Sequence, residues 1–424
     1  MNTSQRRSKP TSIKSKSNAS SPIGNAKKPS VGLALAGGGF LGAAYELGVL
    51  AALAESIENL DLQALTSYVG VSAGGYVAAG LANGITPHQM IRLFVEAEDS
   101  QTPVAPEQML KPAYKQLRKA AKAAPRKFTQ SLRHLNPFAL APWRFIEEIG
   151  GMLPHGFIDA DATAQTLESI FNQPGRSNHF ESFKGRLRIL ATDIDSGLSV
   201  EFGSKEFEGV PISKALTASS AVPGVFVPVE INGRRYLDGA INKTLHASVA
   251  LKAGASLVIC INPLVPYLHH EVGNEQDLKI SKSSLPAILS QTIRTVIRSR
   301  MSVGLEKYAA TYPNASVLLF EPKQGDAAVF LTSIFSLKNR RKICQLAYEQ
   351  TRADLLARMD FFEPLLERHG LRLRLGVLTA KASAIVEEQP RQRPRKAKTL
   401  DAAAMRLNHA LQDLERKVWV KKIA

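Results

Sequence analysis

The stretch VGLALAGGGFLG, residues 31–42, places an unbroken apolar run directly before three consecutive glycines. An apolar run of this length without alternation is typical of a strand buried on both faces of a sheet. From Leu41 onward, apolar residues recur at the spacing of an α-helix. The chain is therefore predicted to pass from strand to helix through a turn of Gly37, Gly38 and Gly39, with Gly42 following. Amide N–H groups exposed in such a turn bind anions, including the oxyanion of an acyl-transfer intermediate.

A second turn of the same kind carries a serine. Ser72 lies 35 residues after Gly37, within Gly70-Val71-Ser72-Ala73-Gly74. The residues before it are typical of a strand, and the small residues from Ala73 to Leu81 are typical of a helix. A serine on a tight strand-to-helix turn is a nucleophile elbow, in which flanking glycines such as Gly70 and Gly74 remove steric clashes.

The glycine turn also fits other interpretations. Gly37-x-Gly39-x-x-Gly42 matches the dinucleotide-binding fingerprint, which requires an acidic residue at the end of the next strand to hold a ribose. The nearest acid, Asp61, precedes that strand, whose end carries Ser72 instead. Acyl chemistry is therefore favoured, with nucleotide binding and a purely structural turn as the alternatives.

A serine hydroxyl needs a neighbouring base to take its proton before it attacks. Asp238 follows a turn and a predicted strand and precedes Gly239, so it is expected at a strand end, where the active sites of open α/β sheets collect. An ordinary turn aspartate that caps the next segment is the alternative. None of the nine histidines lies in a segment typical of a catalytic histidine; His269 and His270 are the best candidates.

The order of these motifs resembles the patatin-like phospholipase family. The resemblance also rests on the stretch ALTASSAVPGVFVP, residues 215–228, which precedes Asp238-Gly239-Ala240, and on the strand-like stretch ATDIDSG, residues 191–197. It covers about Val31 to Pro263 with one insertion.

The resemblance implies lipid acyl hydrolysis by a Ser-Asp dyad, without a catalytic histidine, a cofactor or a metal. Ser72 is then the nucleophile and Asp238 the base. The amides around the glycine turn form the oxyanion hole, with donors at Gly37, Gly38 and Gly39. Asp193 and Asp195 are expected to be structural.

Two positions depart from the family pattern. Leu41 stands where members commonly carry Arg or Lys. Hydrolysis is expected to survive because backbone N–H groups hold the oxyanion, whereas a cation for a phosphate head group is missing. After Asn242 the family often has a proline; here Lys243 follows, so this loop is expected to be reshaped, with His246 able to enter the pocket.

Composition sets wider bounds. The 424 residues are 44% hydrophobic, which is enough for one large core or a core with a small appendage. The only cysteines, Cys260 and Cys344, offer no disulfide framework, which fits a reducing compartment. The sequence contains no apolar run of about 18 residues, the length of a membrane span, and no apolar signal-peptide segment. We expect a cytoplasmic protein with peripheral contact at the inner face of the membrane.

The net charge of +17 is concentrated in three segments. Residues 1–30 hold seven Lys or Arg, residues 108–146 hold nine and residues 391–398 hold five, without an acidic residue in any of them. Together these contribute +21, so the rest of the chain carries about −4. The basic character therefore belongs to the appendages and not to the predicted catalytic core.

These patterns divide the chain into four parts. Residues 1–30 form a disordered basic tail. Residues 31–265 form the catalytic core, interrupted by a helical basic insertion at about 100–155, and residues 266–380 complete it, mostly with helices. Residues 381–424 hold a basic linker and an amphipathic C-terminal helix. The predicted fold is a three-layer α/β/α sandwich with a mainly parallel central sheet. Between residues 266 and 380 we expect helices over Leu285–Tyr308 and Arg341–Arg358 and a strand over Val317–Phe320.

The insertion suggests a contact with membranes. Its predicted helices carry a basic face, with Lys115, Arg118, Lys119 and Lys122, opposite a modest apolar face. Such a helix suits the surface of an anionic bilayer; a solvated hairpin packed on the core is the alternative. Since no base-reading motif accompanies the charge, nucleic acid is not an expected partner. The oligomeric state stays open.

The sequence thus predicts a serine lipid acyl hydrolase that cleaves carboxylic esters. One alternative is an α/β-hydrolase-type esterase with a Ser-Asp-His triad, in which the oxyanion loop and the elbow are usually farther apart than the 35 residues seen here. A non-catalytic membrane-binding or scaffold protein on the same fold is the other, which Leu41 and the basic appendages keep open.

Overall fold

The computed structural model describes residues 30–96, 158, 160–266, 285–323 and 339–386. The tail before Ser30, the basic insertion at 100–155 and the predicted C-terminal helix lie outside the described residues. So do His269 and His270.

The first described stretch alternates strands and helices. It comprises β1 (Val31–Leu35), α1 (Gly39–Ser56), β2 (Ile57–Glu58), β3 (Ser67–Val71), α2 (Ala73–Ala82) and α3 (Pro87–Met90), followed by a π-helical turn at Ile91–Glu96. The strand, glycine turn and helix expected at the start of the core, and the second such unit around Ser72, are confirmed.

From Ala160 onward, the described residues continue to alternate between strands and helices. They comprise α4 (Ala160–Phe171), β4 (Leu187–Asp193), β5 (Ser199–Phe202), α5 (Ile212–Ser219), β6 (Val229–Ile231), β7 (Arg234–Asp238), α6 (Ala247–Lys252), β8 (Leu257–Ile261), α7 (Leu285–Thr311), β9 (Ser316–Phe320), α8 (Arg340–Ala357), α9 (Met359–Glu367), β10 (Arg372–Leu373) and α10 (Leu375–Thr379). A 3₁₀ turn at Gly239–Ile241 follows β7 directly. The two late helices and the late strand expected from the sequence are present within one to three residues of their predicted ends.

One sheet organises the fold. Its strands lie in the order β6-β7-β4-β3-β1-β8-β9, with β5 also paired to β4. The run β4-β3-β1-β8-β9 is parallel throughout, whereas β5 and β7 are antiparallel to β4, and β6 is antiparallel to β7. The mainly parallel sheet is confirmed. The antiparallel strands at one side of it were not predicted.

Helices cover both faces of the sheet. Leu33 and Leu35 of β1 belong to a large core with α1, α2, α5 and α8. Ala34 and Ala36 belong to a second core, which includes residues of α6 and Tyr308 of α7. Successive side chains of a strand point to opposite faces, so a strand covered on both sides needs apolar residues at every position. This explains the unbroken apolar run and confirms the three-layer arrangement.

The late helix α8 packs closely against α1. At Gly48 of α1, a Cβ atom would lie 2.2 Å from the carbonyl oxygen of Cys344, so no side chain fits there. The hydroxyl of Tyr348 on α8 donates a hydrogen bond to Glu55 at the end of α1, 2.5 Å away, and accepts one from buried Arg352 at 2.7 Å. The segment after β9 thus contributes to the same core as the glycine turn.

A buried acid lies in α1, seven residues after Gly39. The Glu46 side chain is fully buried, and among the described residues neither carboxyl oxygen has a hydrogen-bond partner of normal geometry. Burial raises the pKa of the Glu46 carboxyl well above its ordinary value, and its proximity to the backbone of Ala36 opposes only part of this rise. The carboxyl therefore keeps its proton to a higher pH than an exposed glutamate does.

We expect Glu46→Gln to stabilise the protein more at pH 8 than at pH 5. The folded state keeps the carboxyl protonated while the unfolded state loses that proton above about pH 4, so stability falls as the pH rises toward the folded-state pKa. Glutamine does not titrate. Urea unfolding of both proteins at the two pH values measures the difference, and an equal effect at both would contradict the assignment of a neutral Glu46.

Candidate active site

The position of the site is fixed by two strands that meet on one edge of β4. Val71, the last residue of β3, pairs with Leu190, and Asp238, the last residue of β7, pairs with Ala191. Strand β5 pairs with the same two β4 residues and occupies the other edge. Strands β3 and β7 therefore run toward each other along the same edge and end at neighbouring positions. This places Ser72, which follows β3, beside Asp238.

Ser72 has the backbone of a nucleophile elbow. Its φ of 51° and ψ of −124° are rarely adopted by residues other than glycine. Two glycines make this turn possible by close approach. A Cβ at Gly70 would lie 2.5 Å from the carbonyl oxygen of Gly74, and a Cβ at Gly74 would lie 2.5 Å from the carbonyl oxygen of Ala36. The backbone of this turn is therefore closely packed against the end of β1 and the first turn of α2.

The amide of Ser72 is held by a residue that the sequence did not single out. The Ser72 N–H donates to the hydroxyl of Ser219 at 2.7 Å, and that hydroxyl donates to the carbonyl of Leu190 at 2.6 Å. Ser219 is completely buried at the end of α5. It lies in the stretch 215–228 that carries the family resemblance, but only the folded geometry reveals which of the serines there supports the elbow.

Asp238 is oriented by the turn that follows it. One carboxylate oxygen accepts from the N–H of Ala240 at 2.8 Å, and the backbone N–H of Asp238 donates to Ala221 at 3.0 Å. The Ser72 side chain lies close enough to affect the pKa of this carboxyl. A Cβ at Gly239 would lie 2.3 Å from the carbonyl oxygen of Leu190, so the turn requires glycine there. Asp238 is only 4% exposed.

Burial makes this carboxylate a stronger base than an ordinary aspartate. It raises the pKa of Asp238 to about 6, while the hydrogen bonds from Ser72 and the Ala240 amide oppose the rise. Tyr76, one helical turn after Ser72, lies close enough that the charge of Asp238 adds to burial in raising the pKa of the Tyr76 phenol to about 12. Tyr76 was not predicted as a neighbour of the site.

The glycine turn lies over this pair. A Cβ at Gly37 would be 3.2 Å from the Cβ of Ser72 and 3.4 Å from that of Ala240. Gly39 begins α1 with a φ of 62°, a conformation that favours glycine. Amides in the first turn of a helix have no partner within that helix. The turn therefore presents its backbone to the nucleophile.

Gly38 and Gly42 are required for a different reason, which is their contact with Pro263. Gly38, which precedes α1, has a φ of 165° and a ψ of 9°. A Cβ at Gly38 would lie 2.8 Å from the Pro263 ring, and one at Gly42 would lie 3.1 Å from it. The space is limited by Pro263, which follows β8.

The two departures from the family pattern are resolved by packing. Leu41 is buried in the core between α1 and the sheet. Asn242 ties the loop after Asp238 to the turn after β4, because its side-chain amide donates to the carbonyl of Gly197 at 2.7 Å. Lys243 turns to the hydroxyl of Tyr308, 2.6 Å away.

The described histidines lie in other environments. His246 is buried, and burial lowers the pKa of its imidazole to about 3, so it is neutral; its Nε2 has no hydrogen-bond partner in the part of the chain that the structure describes. His88 pairs with Glu55 at 3.2 Å, and His369 lies between two serine hydroxyls. The groups that shift the pKa of Asp238 include no histidine.

Two kinds of feature are absent from the part of the chain that the structure describes. They contain no cluster of three or more His, Cys, Asp or Glu side chains that could hold a metal ion. Within the same residues, no helix combines the length and the apolar character needed to cross a bilayer.

A serine elbow beside a glycine turn on a three-layer α/β fold is an arrangement found in acyl hydrolases. Residues 33–251 match the sequence model of the patatin-like phospholipase family, which is half of the chain. The chain belongs to this family, which places it among lipid hydrolases in general. Among solved structures it resembles the crystal structure of VipD from Legionella pneumophila, with 14% identity and a TM-score of 0.34 over 78% of this chain and 67% of that one.

We expect Ser219→Ala to destabilise the protein by about 1–3 kcal/mol, because it leaves the buried Ser72 N–H without a partner. Ser219→Thr, which keeps a hydroxyl, should recover part of the loss. Ser220 provides the matched control, since its hydroxyl lies near Tyr76 but makes no hydrogen bond of normal geometry within the described residues. Urea unfolding compares the three variants; equal losses for Ser219→Ala and Ser220→Ala would contradict the role of Ser219.

Proposed function

We propose that the protein is a serine lipid acyl hydrolase that cleaves carboxylic esters of lipids through Ser72 and Asp238. The observation that carries this proposal is the meeting of β3 and β7 on one edge of β4, which brings the Ser72 side chain close enough to the buried Asp238 carboxyl to affect its pKa. Family membership and the glycine turn beside the Ser72 Cβ support it.

In the first step, Ser72 Oγ attacks the ester carbonyl carbon and Asp238 accepts the hydroxyl proton. With a pKa of about 6, Asp238 is ionised at neutral pH and is a better proton acceptor than an exposed aspartate. The tetrahedral oxyanion is held by backbone N–H groups of the turn Gly37 to Gly39. Collapse of this intermediate breaks the ester bond, and the departing alcohol takes the proton from Asp238.

In the second step, water attacks the acyl-enzyme. Asp238 takes a proton from the water, the oxyanion forms again in the same place, and Ser72 leaves with that proton as the fatty acid is released. One base thus acts in both steps, first toward serine and then toward water. No metal or cofactor enters this scheme, and a histidine is not needed to relay the proton if the Asp238 carboxyl, which lies beside Ser72, accepts it.

We expect Ser72→Ala and Asp238→Asn each to lower kcat for a short nitrophenyl ester by about 10⁴-fold or more, as for members of other catalytic units. The double variant should be little worse than either single one, because both remove the same step. Ser220→Ala and Asp195→Asn, at a neighbouring serine and at an exposed aspartate, are matched controls that should keep most of the activity. Near-normal turnover by Asp238→Asn would refute the dyad and direct attention to His269 and His270.

The rate should depend on pH through Asp238. Since the carboxylate must be ionised to accept a proton, kcat/KM for a neutral ester should fall about tenfold per unit as the pH drops below about 6. The profile is measured from about pH 5 to pH 8, with circular dichroism to verify folding at each point. A flat acid limb would show that Asp238 is not the base.

We expect Gly38→Ala to lower kcat by about 10²-fold, the usual loss for one oxyanion donor. The new Cβ would meet the Pro263 ring at 2.8 Å and the Gly42 Cα at 2.9 Å, so the turn must shift. Gly209→Ala is the control, because no atom lies within 4 Å of a Cβ there and its φ is not positive. Activity within a few-fold of wild type in a folded Gly38→Ala protein would argue against these amides as the oxyanion hole.

A further inference from the structure

Two large apolar side chains are exposed on neighbouring turns at the edge of the sheet, near the proposed dyad. Leu198, in the turn after β4, is 66% exposed, and Ile241, in the 3₁₀ turn after Asp238, is 47% exposed. The two turns are joined, because the Asn242 side chain donates to the carbonyl of Gly197 at 2.7 Å. We call Leu198 and Ile241 the apolar rim.

The apolar rim stands above the dyad along the direction of the strands. Asp238 pairs with Ala191, and β4 continues to Asp193, roughly 7 Å farther at the usual rise of a strand. The amide of Asp193 then donates to the carbonyl of Leu198 at 3.0 Å. Leu198 thus lies beyond the end of β4, while Ile241 lies three residues from the proposed base.

Two basic side chains lie near the turn that carries Leu198, and one of them, Arg234, lies 3.8 Å from Asp193. Arg234 and Arg235 are exposed at the start of β7, the end of that strand farthest from Asp238. The carbonyl of Arg235 accepts from the amide of Ile194 at 2.9 Å, in the turn that leads to Leu198. Asp195, exposed in the same turn, offsets part of this charge. Apolar side chains bordered by guanidinium groups match the depth profile of a lipid interface, with acyl chains inside and phosphates outside.

We infer that the apolar rim inserts into the surface layer of a phospholipid bilayer and so brings an ester carbonyl to Ser72. The inference rests on the proposed function and specifies how its substrate is reached. A bilayer is chosen over a protein partner because the exposed apolar groups border the site that would act on lipid. The partly balanced charge makes insertion depend on Leu198 and Ile241 more than on the anionic lipid content.

The test uses the full chain carrying Leu198→Ser and Ile241→Ser together. Co-sedimentation with phosphatidylcholine vesicles, with and without phosphatidylglycerol, measures binding; hydrolysis is measured on the same vesicles and on a short soluble ester. Leu375→Ser is the matched control. Leu375 is 42% exposed, and the amide of the preceding Arg374 donates to the carbonyl of Ser56 at the far end of α1. That helix has 18 residues, which is about 27 Å.

The double variant should lose at least tenfold in vesicle partitioning and in vesicle hydrolysis, and should keep soluble-ester kcat/KM within about twofold. The Leu375→Ser protein should bind and act as wild type does. Vesicle binding unchanged in the double variant, or absent in wild type, would overturn the inference. A wild-type dimer by light scattering that the double variant abolishes would also overturn it, with a second copy as the occupant.

Failure of the proposed function gives a different pattern. The Ser72→Ala protein should partition onto vesicles as wild type does, because Ser72 is 6% exposed and takes no part in insertion. If wild type binds vesicles through the apolar rim but neither vesicular nor soluble esters are cleaved in a Ser72-dependent way, the catalytic proposal is wrong and the rim remains a membrane contact.

Discussion

The site depends on the meeting of two strand ends along one edge of β4. If β7 paired one residue farther along, Asp238 would point to the opposite face of the sheet, because side chains alternate. Several groups fix this register around the dyad. The hydroxyl of Thr192 donates to the carbonyl of Asp238 at 3.1 Å, and Gly239 approaches the carbonyl of Leu190 more closely than any side chain would permit. The sheet register and the proposed catalytic pair are therefore one constraint.

This arrangement carries a cost in stability. A carboxylate kept out of water at neutral pH is unfavourable, which the raised pKa of Asp238 expresses. By linkage, a raised folded-state pKa means that this group stabilises the fold most at low pH, and that its contribution falls as the pH rises through about 6. The strained backbone of Ser72 adds to the cost. The hydrogen bonds of Ser219 and the Ala240 amide, together with two apolar cores, offset it.

The same burial is what makes a histidine unnecessary in the proposed mechanism. An exposed aspartate with a pKa near 4 is a weak acceptor for a serine proton, whereas burial moves Asp238 nearer to the working pH. In the proposed mechanism, the position of Asp238 beside Ser72 replaces the imidazole that relays the proton in Ser-His-Asp enzymes. Destabilisation of the fold and basicity of the carboxylate thus have one physical origin.

Much of this could be predicted from the sequence, because glycine turns between apolar runs mark both strand-to-helix units. The parallel strands and the two halves around Gly37 and Ser72 followed from local patterns. The position of Asp238 beside Ser72 could not be predicted from local patterns. Asp238 lies at a strand end, as expected, but the antiparallel pairing of β7 with β4 was not predicted, because pairing partners are not encoded in the pattern of a five-residue strand.

Contacts between distant segments were likewise beyond local reasoning. Gly38 looked like a catalytic turn glycine, and its additional restriction by Pro263 comes from a strand end more than 200 residues later. Leu41 was interpreted as a missing cation beside the site, whereas its burial makes it part of the core on which the glycine turn rests. A charged side chain at this position would have to point away from that core to reach solvent. Leu41 therefore supplies no cation to a phosphate head group, and the first turn of α1 serves the core at this position.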